Sequence, residues 1–229
     1  MGKGRLEAFS DGVLAVAITL LVLDLHAQVG KKNDAGVVLS LWDQVHDQWP
    51  AFLAYLISFF VIGVIWINHH ALFVLVERVD RAMLFYNLLL LLWVSTIPFT
   101  TSALAEFLRD GTHRDVQIAV LLYGISNEGM AIAFLLIVRH MLYKPLVKGP
   151  IDLGARRRAV IRFGAGSLVY PVITVIGLLS AETMFVLYIG VIVYYIADQT
   201  QLIPISGDQD TASKAGEDVD IDEDATNSE

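Results

Sequence analysis

The side chains able to do chemistry in this chain collect where apolar runs begin and end. Arg5, Phe9, Ser10, Asp11 and Gly12 open an aliphatic run that continues to Leu25 with one hydroxyl, Thr19. Charged and hydroxyl groups at the mouth of an apolar span are costly to keep in lipid, so they point to ion or proton handling. Trp66-Ile67-Asn68-His69-His70 closes a second apolar run. Trp66 and His69 are three apart and share a helical face. A buried Asp11 needs a partner, and Arg5, His69 or the indole N–H of Trp66 has the chemistry to supply one. Adjacent histidines point about 100° apart on a helix and no HExxH spacing occurs, so a structural network is expected rather than a metal site. Ser126-Asn127-Glu128-Gly129 falls in the middle of a third such run. There Glu128 serves either an interhelical hydrogen bond or an ion or proton site. No nucleophile elbow, glycine-rich phosphate loop or pair of catalytic carboxylates is present, which disfavours an enzyme. No cofactor and no bound metal are expected.

The elements that position these groups are long apolar helices. Hydrophobic residues make up 55% of the 229 and mean hydropathy is +0.60, too apolar for an ordinary soluble domain. A spanning helix needs about 20 mostly apolar residues. Six windows qualify, near 9–27, 49–67, 82–104, 116–138, 159–179 and 182–197. Pro50 suits a first turn, whereas Pro98 and Pro171 lie inside their windows, and Pro98 predicts a kink or loosening. Asp11 and Asp24 within the first run, and the large Leu25 three residues before the one plausible cleavage point, argue against a removable signal. With no cysteine there are no disulfides or thiolate sites.

Charge sets the orientation. Lys3, Arg5, Arg78, Arg81, Arg139, Lys144, Lys148, Arg156, Arg157, Arg158, Arg162 and Lys214 fall on one side; Lys31, Lys32, Arg109 and Arg114 fall on the other. Twelve against four places both termini in the cytoplasm, in agreement with an even number of spans. Arg156-Arg157-Arg158 reads as a topology anchor against anionic headgroups, with a specific lipid site as the sharper alternative. The chain divides into a membrane domain over 1–205 and an acidic segment over 206–229 that is expected to be disordered. That segment carries nine of the 24 acidic residues and one lysine. The formal charge of −8 therefore describes the tail, not the body, and implies no nucleic-acid partner.

On a wheel of about 100° per residue, Gly12, Val16, Thr19 and Leu23 form one stripe of the first helix with Leu20 at its edge. Such a stripe either packs against neighbouring helices or lines a pore. Narrow rings of Val and Leu can close a pore by excluding water, while threonine hydroxyls can replace part of a hydration shell. No TVGYG filter occurs in the chain.

Arg5-x-x-x-Phe9-Ser10-Asp11-Gly12-Val13, followed by Thr19-Leu20-Leu21-Val22-Leu23-Asp24-Leu25, resembles the first-helix signature of the endosomal–lysosomal transmembrane potassium channel family. Specifically, it is similar to the short prokaryotic members, which have one six-helix unit per chain. The likeness continues through Ser58-Phe59, Trp66-x-x-His69-x-x-Leu72-Phe73, Asn87 and Ile97-Pro98-Phe99-Thr100-Thr101. It implies an all-α integral membrane fold, a homotetramer with four first helices lining a central pore, and potassium selectivity without the usual filter. The family's principal constriction is an isoleucine, and Val16 stands at that position. Thr19 matches its hydroxyl layer, and Leu20 and Leu23 match further apolar positions. A network joining the first two spans carries over to Arg5, Ser10, Asp11, Trp66 and His69. The expectation is therefore a potassium-selective channel of the plasma membrane, with its partners being three further copies and the bilayer. The competing expectation is a secondary or proton-coupled transporter using Glu128, and a weaker one is a membrane structural or regulatory protein.

Overall fold

The computed structural model describes residues 2–25, 36–149 and 152–197. The acidic segment lies outside them, as do Lys31 and Lys32. Helices account for nearly all of the described chain: α1 (Lys3–Leu20), α2 (Leu41–Asp47), α3 (Trp49–Leu75), α4 (Arg81–Asp110), α5 (His113–Tyr143), α6 (Leu153–Gly177) and α7 (Ala181–Ala197). A 3-10 turn, Leu21–Asp24, extends α1. Helices α1, α3, α4, α5 and α6 are long and apolar enough to cross a bilayer, and α7 is a shorter apolar helix of 17 residues. These are the six expected spans. Most are longer than their apolar windows, because a helix of about 30 residues rises about 45 Å and reaches into the headgroup layers.

The ends are fixed by local chemistry. Asp80 caps α4 by accepting from the Met83 N–H at 2.8 Å. Thr112 and Asp115 form a capping box on α5, and Asp152 accepts from Gly154 and Ala155 at the start of α6. Each cap satisfies amide donors that have no intrahelical acceptor. The short α2 was not expected from the sequence; its signal is Ser40-x-x-Asp43, a second capping box. Helix α4 continues through Pro98 to Asp110, so the proline does not end it.

The core lies between α4, α5 and α6, where close approach depends on small residues. A methyl group on Gly124 would collide with Thr174 of α6, and one on Gly129 with the Trp93 ring of α4. Helix α1 lies to one side of this core, against α3 and α4. Its buried residues, Leu6, Ser10, Leu14, Ala17 and Leu21, recur every three or four positions and so define a single face.

Candidate functional site: a fastened helix with an open face

Two separate sets of polar contacts fasten α1. In the first, the Trp66 indole N–H donates to Asp11 Oδ1 at 3.0 Å, tying α1 to α3. Near it, His70 Nδ1 lies 3.4 Å from the Glu7 carboxylate, and the Trp66 and His70 rings stack at 6.3 Å.

The second set is buried and joins three helices. Ser10, His69 and Asn87 are each fully buried. The Ser10 hydroxyl donates to the Leu6 carbonyl at 2.9 Å, so its lone pairs remain to accept from Asn87 Nδ2 at 2.8 Å. That fixes the amide orientation and turns Asn87 Oδ1 toward His69 Nε2 at 2.9 Å. Because the oxygen can only accept, Nε2 carries the proton. Phe73 stacks on the imidazole at 4.2 Å.

The expected network thus divides differently in space. Trp66 meets Asp11, but His69 turns to Asn87 rather than to Asp11. Arg5 is exposed and makes no side-chain hydrogen bond or ion pair among the described residues. Geometry explains this: a side chain at position 5 lies about six residues, or roughly 9 Å of helix rise, from Asp11. The hub that residue chemistry alone did not single out is Asn87. Its signal was an amide inside the apolar run Leu84–Trp93, a place where an amide needs buried partners.

The opposite face of α1 is open. Val16 is 56% exposed and Leu23 69%, with Phe9, Gly12, Thr19 and Leu20 also exposed. Phe9, Gly12, Val13, Val16 and Leu20 line one wall of a groove of about 470 Å³, and Ser95 of α4 stands on the other wall. Thr19 is partly self-satisfied, its hydroxyl donating to the Val16 carbonyl at 2.9 Å. A lone pair of that oxygen still faces outward with the stripe.

Deeper in the bundle, Ser58 bonds to Thr101 at 2.7 Å and to Tyr123 at 3.0 Å, linking α3, α4 and α5. Ser126 accepts from Thr96 at 3.0 Å, joining α4 to α5. Asn127 donates to the Tyr123 carbonyl at 2.8 Å. Glu128 is half-buried, and its Oε2 has no partner among the described residues. No group of three or more metal-ligating side chains occurs among the described residues.

A bundle of apolar helices of spanning length, bound internally by side-chain hydrogen bonds and exposing large apolar side chains on each long helix, defines a polytopic α-helical membrane protein. Residues 5–98 match the family model described as the endosomal/lysosomal potassium channel TMEM175. A potassium channel of Streptomyces collinus is 42% identical over 198 residues, covering 84% of this chain and 91% of that protein. The human endosomal/lysosomal proton channel TMEM175 is 38% identical over 124 residues, which is 50% of this chain and 24% of the human one. The crystal structure of a lysosomal potassium-selective channel TMEM175 homolog from Chamaesiphon minutus superposes with a TM-score of 0.71 at 31% identity, over 87% of this chain and 98% of that one. The chain belongs to the TMEM175 family. These relatives are named as channels, which does not favour a carrier built around Glu128, and no enzymatic activity is indicated.

Proposed function

We propose that four copies of this chain assemble around a central pore lined by α1 and conduct potassium across the plasma membrane, with both termini in the cytoplasm. The observation that carries this reading is the two-sidedness of α1. One face is buried and hydrogen-bonded to α3 and α4, while Val16, Thr19, Leu20 and Leu23 face away from their own subunit. A helix secured so firmly on one side, with an apolar stripe left over on the other, is suited to form a wall shared between subunits. The names of the relatives and the resemblance of the first-helix motif support the same reading.

Selectivity then works without a filter loop. Val16, Leu20 and Leu23 form a constriction narrow enough to dewet, which closes the path to hydrated ions. Thr19 oxygens and the local field favour potassium over sodium, whose dehydration costs more. The contacts at Ser10, Asp11, Trp66, His69 and Asn87 hold the helix at its pore angle, and Phe9 and Gly12 stand at the entrance. No cofactor takes part. Purified protein reconstituted into liposomes is expected to carry potassium faster than sodium, and to behave as four subunits in detergent. Robust preparations that carry neither ion, or that are monomeric, would overturn the proposal.

A further inference from the structure

The basic residues converge on one end of the bundle. Lys3 Nζ lies 3.5 Å from the Val74 carbonyl, placing the start of α1 beside the end of α3. Val76 bridges to Val147, and the Lys148 N–H donates to Leu75 at 3.1 Å, so the α3–α4 and α5–α6 connections lie together. His140 Nε2 is 2.8 Å from Asp80, joining the end of α5 to the start of α4. This end carries eleven Lys and Arg among the described residues against Glu7, Glu77, Asp11, Asp80 and Asp152, a net of six positive charges. Arg139, Lys144, Lys148, Arg157 and Arg158 are exposed there.

Helix α7 returns to the same end. It follows α6 through a tight turn at Leu178–Ser180 and runs antiparallel to it, and a methyl on Gly166 would stand 3.4 Å from the Tyr195 hydroxyl. From Gly166 to Arg157 along α6 is nine residues, or about 14 Å. Beyond Ala197 the chain continues to Asp208, the first acidic residue of the segment 206–229. Those eleven residues reach about 36 Å when extended. The segment has nine acidic residues and Lys214, a net of eight negative charges. It is thus tethered within reach of this basic end, whose six positive charges its eight negative ones more than offset, at the millimolar effective concentration typical of a short tether.

We infer that residues 206–229 dock on the Arg156-Arg157-Arg158 collar of their own chain, forming an electrostatic latch at the end of the bundle where α1 begins. The competing occupant of the collar is an anionic lipid headgroup. The tail is favoured because it is covalently held at this end, and because an anionic membrane surface repels it from every place except the collar.

The absence of cysteine allows specific labelling of the full chain. Spin labels at Ser213→Cys and at Leu153→Cys, the latter on the exposed start of α6, report the tail-to-collar distance by pulsed electron resonance in zwitterionic nanodiscs. Labelled chains are diluted into unlabelled ones so that each distance is within one chain. A short-distance population is expected in 100 mM KCl and is expected to fall about threefold in 1 M, where the screening length drops from about 10 Å to about 3 Å. The triple variant R156Q/R157Q/R158Q is expected to lose it at low salt, and nanodiscs containing phosphatidylglycerol are expected to retain it. Distances that ignore both salt and the arginines would overturn the latch, as would its loss with phosphatidylglycerol, which would assign the collar to headgroups. Because the salt comparison uses the wild-type arginines, the test survives poor folding of the triple variant. None of these readings depends on ion flux, so failure of the latch is separable from failure of the channel proposal.

Discussion

Asn87 donates to Ser10 at 2.8 Å across the α1–α4 contact, and both residues are fully buried. The pairing makes α1 dependent on a direction of hydrogen bonding as well as on apolar packing. Ser10 gives its proton to Leu6, Asn87 gives one to Ser10, and His69 gives one to Asn87. Asn87→Asp breaks the order, since a carboxylate can keep His69 as donor but cannot donate to Ser10. A loss of about 1–3 kcal/mol is expected from the unpaired buried group. Asn87→Leu removes a partner from two buried groups and is expected to cost more. Unfolding midpoints in detergent check the ranking. Equal midpoints for all three proteins would remove Asn87 from the hub.

Trp66 and Asp11 form the second fastening, in a less buried setting. Trp66→Phe keeps most of the ring and deletes the indole donor to Asp11. Because Trp66 is 44% exposed, the cost is expected to be that of an ordinary hydrogen bond, about 1 kcal/mol. Conduction is expected to suffer more than stability, since the contact fixes the angle of a helix that otherwise has one free face. A variant with normal flux and a lowered midpoint would confine this contact to folding.

The fold was readable from the sequence because lipid imposes strong constraints. Six apolar windows, the position of Pro50 and the segregation of Lys and Arg suffice to place six helices. The site was readable only in part. The stripe from Gly12 to Leu23 follows from helical period, but no period separates a pore face from a packing face when both are aliphatic. The partners of Asp11 and His69 depend on how α3 and α4 rotate against α1. That rotation is set by side chains scattered over eighty residues. Asn87 therefore outcompetes Asp11 for His69 in space, although nothing in the local spacing requires it. Arg5 was drawn into the network by its charge, whereas its place on the helix leaves it at the exposed margin.

Asp80 allows a test by pH at the end of the bundle. Burial raises its carboxyl, but the hydrogen bonds from the Met83 N–H and from His140 outweigh this and hold it below the ordinary value. A carboxyl depressed in the folded state contributes stability above its unfolded pKa, and that contribution disappears as pH falls through the folded one. Asp80→Asn retains the oxygen that caps Met83 but loses the charge and the second acceptor, which faces His140. Its midpoint is expected to lie below the wild type at pH 7 and to converge with it below about pH 4. Asp80→Ala, which also loses the cap, is expected to remain about 1 kcal/mol lower throughout. A gap between wild type and Asp80→Asn that does not narrow on acidification would show that charge is not what this carboxylate contributes.

Glycines separate the subunit's core from its open face. Gly124 meets Thr174 directly, so Gly124→Ala must push α5 from α6 and is expected to destabilise by about 1–3 kcal/mol. Gly12 has nothing within 4 Å of an added methyl, so Gly12→Ala is expected to leave the subunit as stable or to gain up to about 1 kcal/mol of helix propensity. If the open stripe lines the shared pore, that harmless methyl is repeated four times at its entrance and lowers potassium flux. Val16→Ile adds one methylene per subunit deeper in the same stripe, and a fall in single-channel conductance on the order of a few-fold is expected as the ring narrows and dries. Together the pair isolates the pore from the fold, because both substitutions alter only surface that the single subunit leaves uncovered. Unchanged conductance in both, with midpoints also unchanged, would mean that this face of α1 does not meet the ions.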